Sequence, residues 1–459
     1  MSDRIDAIIS KAEQYCQPSE SEIRKLTKIA VTAKTLIDRY VCPKVIETVL
    51  GGSFAKGTWL KGDADIDIFV KINPSVSHEE FEQLGKKIGS ESLKGYKMRL
   101  RYSEHPYVEA FIRDIRINVV PCYNVQIGKW KSAADRSPFH TEYIKNNLDE
   151  GKRIEVRLLK KFLKSIGVYG AEIATGGFSG YVTEILILKY GSFKSVLHAI
   201  SNIRERRDKN VISIENVDED ILKTFQSHLT IIDPIDPRRN LGTAISAEST
   251  GKFVLAARAF LKEPSLNFFK KSGNHKKLTN ISLKKLYPNL LIVEFNYSDR
   301  SPDIIWGQLK RSLNAISKQL ALVGFKVIRS ICITDEMKSA AMVFLLESLT
   351  ISPYAERVGP EIFRKDSTTS FISKNRKESI MIWIDKEMKV RSLMDRKATD
   401  AKDYVELLLS KKIENIGITK GLTVDIRTTF QIYTGNEREI KGIVRDAAYR
   451  ILTTDKHIS

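Results

Sequence analysis

Residues Gly51 to Val70 read GGSFAKGTWLKGDADIDIFV, and no other stretch constrains the fold as tightly. A Gly-Gly-Ser turn leads into a helix-compatible segment. Asp65-Ile66-Asp67 then sits inside an apolar, β-branched run of Ile66, Ile68, Phe69 and Val70. In a strand, residues two apart share a face. Asp65 and Asp67 therefore project side by side, with Ile66 and Ile68 turned the other way into a core. Adjacent carboxylates repel unless a cation lies between them. Oxygen ligands of this kind suit Mg²⁺, which takes one or two carboxylates plus substrate phosphates. The Gly51-Gly52-Ser53 turn offers backbone N–H groups and a hydroxyl, and a helix start after it favours phosphate. An Asp-x-Asp pair alone is more often a solvated strand face. The Gly-Ser turn about a dozen residues upstream moves the reading to phosphoryl or nucleotidyl transfer.

Size and charge narrow the class. The 459 residues leave room for roughly two to four domains, and a hydrophobic content of 42% is ample for packed cores. Lys plus Arg number 75 against 56 Asp plus Glu, a formal net charge of +19. Such a balance suits a polyanionic partner, because neutralising phosphates releases counterions. Cys16, Cys42, Cys122 and Cys332 form no Cys-x-x-Cys pair, which argues against a thiolate zinc site. Their sparseness fits a reducing cytosol. The N-terminal MSDRIDAIISKAEQYC is amphipathic and charged, unlike a signal peptide. No run reaches the ~20 apolar residues that span a bilayer. The expectation is a cytoplasmic protein with no membrane partner.

Periodicity organises the rest. Residues 3–40 read as helical, with Ser19 and Glu22 forming a capping box before the second helix. Residues 45–70 hold the turn, a short helix and the Asp-x-Asp strand. Residues 78–90 look helical, and Tyr107–Ile112 and Ile115–Pro121 read as strands joined at Arg113-Asp114. Together these make a small mixed sheet with helices on one side. From 151 to about 270 the pattern is helical: a stripe of Ile154, Leu158, Leu159, Phe162 and Leu163, a helix from Tyr181 to Phe193, another from Phe253 to Leu261. Beyond Ser272, strand-like Leu291–Phe295, Phe325–Ile333 and Ala341–Leu346 surround a helix from Trp306 to Leu322.

G-S-x₈₋₁₃-[DE]-x-[DE] is the signature of the DNA polymerase β-like nucleotidyltransferase superfamily, which residues 51–70 resemble. Later blocks are more specific: EHPYVEAF at 104–111, INVVPCY at 117–123, KSAADRSPFHTEYI at 131–144 and EVRLLKKFLKSIGVYGAE at 155–172. GGFSGYVTEILILKYGSF at 176–193, DPIDPRRN at 233–240, PSLNFFK at 264–270 and Arg357-Val358-Gly359-Pro360 follow. In this order they resemble an archaeal, class I CCA-adding enzyme (tRNA nucleotidyltransferase). The resemblance implies an α+β multidomain fold: a polymerase-β-like head with a mixed sheet at 1–148, a helical neck at 149–270, and an α+β body and tail at 271–459. It implies template-independent addition of C, C and A to tRNA 3′ ends from CTP and ATP, by two-metal Mg²⁺ chemistry with pyrophosphate release. The tRNA is expected to be held at its acceptor stem, 3′ end and TΨC loop, and the family allows a homodimer.

Site roles carry over position by position. Asp65 and Asp67 match the metal-binding carboxylates. The third family carboxylate falls at Asn118, which offers an amide oxygen without charge. Asp114 is a poor substitute, being in the turn, roughly 13 Å away along an extended chain. Asn118 reads as an engineered substitution that leaves binding but impairs chemistry, or as a natural departure. Ser53 and Lys56 match triphosphate contacts from the head. Lys160, Tyr169 and Ser179 match triphosphate contacts from the neck, although Lys160-Lys161 on an amphipathic helix also reads as a solvated face. His140 matches a nucleotide contact, and His105 is expected at the RNA or phosphate edge. Arg239 and Asn240 match the base-selecting pair, with a salt bridge from Arg239 to Asp233 or Asp236 as the structural alternative. C and A share an amino group beside a ring acceptor, so one pocket admits both and rejects U and G by stranding buried polar groups. Basic stretches at 204–207, 270–271, 276–277 and 284–285 are candidate phosphate contacts. The alternatives are a poly(A) polymerase or oligoadenylate synthetase on the same head, or an RNA-binding protein with a decayed active site. A metabolic phosphotransferase fits the basic charge and long C-terminal region poorly.

Overall fold

The computed structural model describes residues 2–102, 105–203, 210–225, 227–270, 284–453 and 455. The basic residues 204, 206, 207, 271, 276 and 277 lie outside them; Lys270, Lys284 and Lys285 lie within and are exposed. Two compact units emerge, residues 1–273 with 455–459, and residues 274–454.

The first unit holds a five-stranded sheet of β1 (Val45–Gly51), β2 (Asp65–Ile72), β3 (Lys97–Tyr102), β4 (Pro106–Ile112) and β5 (Ile115–Tyr123) in the order β1-β2-β5-β4-β3. Only β2 and β5 run parallel; the other neighbours are antiparallel. β1 and β3 were not foreseen. VIETVLG shows no period-2 alternation, whereas KMRLRY alternates charged and apolar residues strictly, so β3 was legible in the sequence and β1 was not. Arg113 and Asp114 join β4 to β5 with φ of 47° and 65°, the left-handed geometry of a two-residue hairpin turn.

One face of the sheet is apolar. Ile66, Ile68, Val70, Val108, Ala110, Ile117 and Val119 pack with Leu26 and Ile29 of α2 (Glu20–Asp38) and Phe81 and Ile88 of α4 (His78–Ser92). α2 begins with the expected capping box: the Glu22 N–H donates to Ser19 Oγ at 3.3 Å, and the Ser19 N–H to Glu22 Oε2 at 2.8 Å. The opposite face carries Asp65, Asp67 and Asn118. α3 (Gly52–Lys56) is a single short turn between β1 and β2.

A second core is mainly helical. α1 (Ser2–Cys16), α6 (Glu150–Ser165), α7 (Gly180–Tyr190), α8 (Phe193–Ser201) and α10 (Ala247–Lys262) converge on Phe162, Phe193, Phe253 and Phe260. α5 (Arg136–Asn147) and a short α9 (Glu219–Lys223) complete the helices here. The single helix expected over 181–193 is two helices. Gly191, at φ 85°, ends α7, and Ser192 caps α8 by accepting from the Ser195 N–H. β6 (Val211–Ile212), β7 (Thr230–Asp233) and β8 (Asp236–Asn240) form a small sheet beside them.

The second unit contains a four-stranded antiparallel sheet, order β10 (Val327–Thr334), β11 (Ser339–Leu346), β9 (Leu290–Asn296), β15 (Gln431–Thr434). Both of its faces are covered. Leu291, Val293 and Phe295 meet α11 (Pro302–Val323), while Leu290 and Ile292 pack with Val444 and Ile451 of a C-terminal helix, Gly442–Leu452. That two-sided burial is why LLIVEF reads as a continuous apolar run. A separate three-stranded sheet, order β12 (Tyr354–Glu361), β14 (Lys389–Asp395), β13 (Ser379–Ile384), carries the Arg357-Val358-Gly359-Pro360 motif. Among the described residues no helix is long and apolar enough to cross a membrane.

Candidate active site

Strand register assembles the centre of the site. Gly51 pairs with Asp67, Asp67 with Asn118, Asn118 with Glu109, and Glu109 with Arg99, so one row crosses five strands. Residues directly opposite one another project to the same face. Asn118 Nδ2 donates to Asp67 Oδ1 at 2.8 Å. The pKa of Asp67 is raised, first by desolvation and then by the Asp65 charge, against the lowering hydrogen bond from Asn118. Arg116, opposite Asp65 on β5, ion-pairs with it, and its Nη1 stands 3.9 Å from Glu109 Oε2. Glu109 is buried, and Arg99 also pairs with it.

Gly52 sits against this row at φ 62°, and a Cβ there meets Asp67 Oδ2 at 1.7 Å. Only glycine fits. The turn thus brings α3 onto the carboxylate, placing Ser53 in the same short helix.

The neck-side residues converge on the head. Lys56 and Lys160 both bind the Glu184 carboxylate, with Lys160 Nζ at 3.3 Å, and Thr58 Oγ1 donates to the same group. Lys160 also donates to the Thr58 carbonyl at 3.1 Å. All four side chains are buried, so Lys160 is no solvated lysine. Burial lowers the Lys160 pKa to about 8 despite the Glu184 charge. For Glu184, burial acts upward, but Lys56 and Lys160 together hold the pKa below the ordinary value. A Cβ on Gly180 lies 3.0 Å from the Tyr169 hydroxyl and 3.6 Å from Lys160 Nζ, which locates Tyr169 beside Lys160. Ser179 caps α7, accepting from the Val182 N–H at 3.1 Å.

A second cluster centres on Asp233. His140 Nε2 donates to Asp233 Oδ2 at 2.9 Å, Tyr181 to Oδ1 at 3.2 Å, and Arg239 Nη1 lies 3.3 Å from Oδ2. The His140 ring stacks on Tyr181 with centroids 3.9 Å apart. Burial lowers the His140 pKa, outweighing Asp233; for Asp233 burial acts upward, but the His140 hydrogen bond and charge, the Ile235 N–H and Arg239 together hold the pKa below the ordinary value. Arg239 therefore makes the ion pair considered as its structural alternative, while Asp236 is taken by Arg136 at 2.9 Å. Asn240 is held by its own neighbours. Its Oδ1 accepts from the Ile231 and Gly242 N–H groups at 2.9 and 2.7 Å, and its Nδ2 donates to Ser227 at 2.8 Å. An amide so committed has no acceptor left and one N–H to spare; it orders the end of β8.

Lys56, Asp67, Asn118, His140, Tyr181 and His105 line one cavity of about 440 Å³. Glu109, Arg116 and Glu184 join the predicted set as residues that sequence reading missed, and Asp233, read only as a partner of Arg239, also holds His140 and Tyr181.

Residues 32–152 match the nucleotidyltransferase domain family, residues 154–270 the second domain of tRNA nucleotidyltransferase, and residues 288–435 the C-terminal domain of CCA-adding enzyme. A CCA-adding enzyme of Pyrobaculum aerophilum is 36% identical over 411 residues, 89% of this chain and 94% of that one. One from Saccharolobus solfataricus is 36% identical over 400 residues, 87% and 91% of the two chains. The chain belongs to the CCA-adding enzyme family. It is thus an enzyme, a tRNA nucleotidyltransferase with a multidomain α+β fold, and the decayed, non-catalytic reading falls away. Among solved structures, a cytoplasmic RNA terminal U-transferase aligns over 59% of the chain at TM-score 0.47 and 14% identity.

A tRNA nucleotidyltransferase works on nucleotide substrates with a divalent metal, and the residues present fit such an ion. Asp65 and Asp67 share one strand face, and Asn118 Oδ1 is buried with no hydrogen-bond partner among the described residues. A buried carbonyl oxygen left without a partner is costly. Its placement beside Asp67 makes an all-oxygen donor set of the kind hard cations take.

Proposed function

We propose that this chain adds C, C and A in turn to tRNA 3′ ends from CTP and ATP, in the cytoplasm, with Mg²⁺ held by Asp65, Asp67 and Asn118. The observation that carries this reading is the cross-strand row, in which Asn118 brings an unpartnered oxygen to Asp67. Bound there, Mg²⁺ ions neutralise the triphosphate and lower the pKa of the primer hydroxyl. Ser53 and Lys56 receive the triphosphate from the head; Lys160, Tyr169 and the start of α7 at Ser179 receive it from the neck. The Lys56–Glu184–Lys160 cluster supports this, because a triphosphate can replace Glu184 as the counter-anion of both ammoniums. Tyr181 and His140 offer stacked rings beside the nucleotide. Arg239, oriented by Asp233, reads the base edge, and Asn240 acts by fixing the strand end that carries it. Residues 1–148 form the catalytic head and 149–270 the neck. Residues 271–459 hold the acceptor stem and TΨC loop, in a monomer or homodimer.

Asn118 contributes an oxygen without charge, so the cleft is one negative charge short of the family pattern. Glu109 does not make up the deficit, since Arg99, Arg101 and Arg116 surround it. Binding survives, because it rests on basic side chains; the chemical step suffers. Asn118→Asp is expected to raise the single-turnover rate about 10²–10⁴-fold, ~3–5 kcal/mol of barrier, and to leave the tRNA Kd within about threefold. Single-turnover kinetics beside filter binding separate the two. An Asp variant no faster than the parent removes Asn118 from the metal site.

A further inference from the structure

The first turns of α4 and the residue preceding β4 bring together two imidazoles and a carboxylate outside the Asp65–Asp67–Asn118 set. His78 and Glu82 stand four apart on α4 and so share a helix face. His105 comes from the chain leading into β4. One ligand atom of each lies within 4.8 Å of the others. Glu82 Oε1 is 3.7 Å from His78 Nε2 and 3.8 Å from His105 Nδ1. The two imidazoles meet at 66° with centroids 5.0 Å apart, edge to face rather than stacked. His105 is buried, Glu82 half-buried and His78 exposed, so the group opens to solvent on the His78 side.

We propose that His78, Glu82 and His105 hold a transition-metal ion of the Zn²⁺ kind, at a centre separate from the catalytic carboxylates. The donor set decides the class. Two imidazole nitrogens and one carboxylate oxygen form a three-ligand zinc site with a fourth position for water. Imidazole suits Zn²⁺ and its neighbours, whereas Mg²⁺ selects carboxylate, carbonyl and water. The geometry is nearly made. Bonds of ~2.0–2.1 Å in a tetrahedral shell place ligand atoms roughly 3.3 Å apart. The observed separations from Glu82, 3.7 and 3.8 Å, exceed that by about half an ångström. Phe81 packs edge-on against His105 at 5.3 Å and stacks on Tyr123 at 4.1 Å, restricting the buried imidazole.

The location gives the ion a consequence. His105 and Tyr107 both line the cavity that contains Asp67 and Asn118. An ion joining His105 to α4 clips the start of β4 to the helix packed on the sheet's other face. It thereby fixes one wall of the cleft from outside the reacting centre.

The test uses the full-length protein, stripped of metal and then kept in saturating Mg²⁺. Zn²⁺ is titrated by calorimetry, and Co²⁺ by visible absorption. One Zn²⁺ per chain is expected, with the intense visible bands of four-coordinate Co²⁺. His78→Ala changes an exposed side chain, so the fold is not at stake; it is expected to weaken Zn²⁺ binding tenfold or more, ~1.4 kcal/mol. Glu82→Gln is expected to weaken it as well, and Asp67→Ala to leave it unchanged. A parent protein that takes up no Zn²⁺ at micromolar concentrations overturns the proposal. So does a titration that ignores His78→Ala and Glu82→Gln, or one lost with Asp67→Ala.

Discussion

Arg116 supplies Asp65 with a cation from the protein itself. It binds one carboxylate oxygen, Asp65 Oδ2, so the ion pair competes with metal for that atom. Both partners are more than a third exposed, at 42% and 37%, which keeps the pair weak. Arg116→Gln is therefore expected to lower the Mg²⁺ concentration for half-maximal nucleotide addition roughly twofold to fivefold, the ~0.4–1 kcal/mol of an exposed pair. An unchanged or raised Mg²⁺ requirement contradicts the competition. Residues differ in how far the sequence discloses them. Asp65 and Asp67 are legible because a strand repeats every two residues. Glu109 was equally within reach: a hairpin turning at Arg113-Asp114 and pairing Ile112 with Ile115 necessarily sets Glu109 opposite Asn118. Arg116 follows from the same register only once β2 and β5 are known to be parallel neighbours, which no local pattern states.

Elements far apart in sequence meet at Glu184. Its carboxylate on α7 binds Lys56 of α3, Thr58 in the following loop and Lys160 of α6, none of them exposed. Removing one partner from a buried ionic cluster strands the others. Glu184→Gln is expected to destabilise the protein by about 3–5 kcal/mol, read from urea unfolding; a loss below about 1 kcal/mol contradicts a dry, tightly coupled cluster. The cluster escaped the sequence because Lys56 and Glu184 stand 128 positions apart. Lys160 looked solvated for a related reason. Lys160-Lys161 marks the border of a helix's apolar stripe, and only packing against Thr58 and Glu184 decides which lysine turns inward. The β7–β8 hairpin carries its own prediction. Arg239 is 40% exposed while anchored to Asp233 through one terminal guanidinium nitrogen, Nη1. Arg239→Ala is expected to lose preference for CTP over UTP more than it loses tRNA affinity, measured by misincorporation beside filter binding. Weakened tRNA binding with base preference intact places Arg239 on the RNA backbone instead.

The whole molecule carries a net charge of +19, and a substrate bound chiefly through phosphates should show it. The logarithm of the tRNA association constant is expected to fall linearly with log salt, with a slope reporting several released counterions; a flat dependence contradicts phosphate-led binding. Organisation at this scale was legible in outline: a mixed sheet, then helices, then an α+β region. Subtler features were not. α1 packs through Ile5, Ala12 and Cys16 into the helical core rather than the sheet's, because its apolar stripe is equally suited to either. The three-stranded sheet of β12, β13 and β14 went unread although SIMIWI at 379–384 is a strand-like apolar run; its Val358, Ile380, Met381 and Ile384 are exposed. The central claim is an enzyme that builds C, C and A untemplated in the Asp65–Asp67–Asn118 cleft. It is tested most directly by offering each nucleoside triphosphate, with Mg²⁺, to tRNA lacking CCA, CA or A. The account predicts C on the first two acceptors, A alone on the third, and no addition by Asp67→Ala. Addition of U or G, A on every acceptor, or activity surviving Asp67→Ala contradicts it.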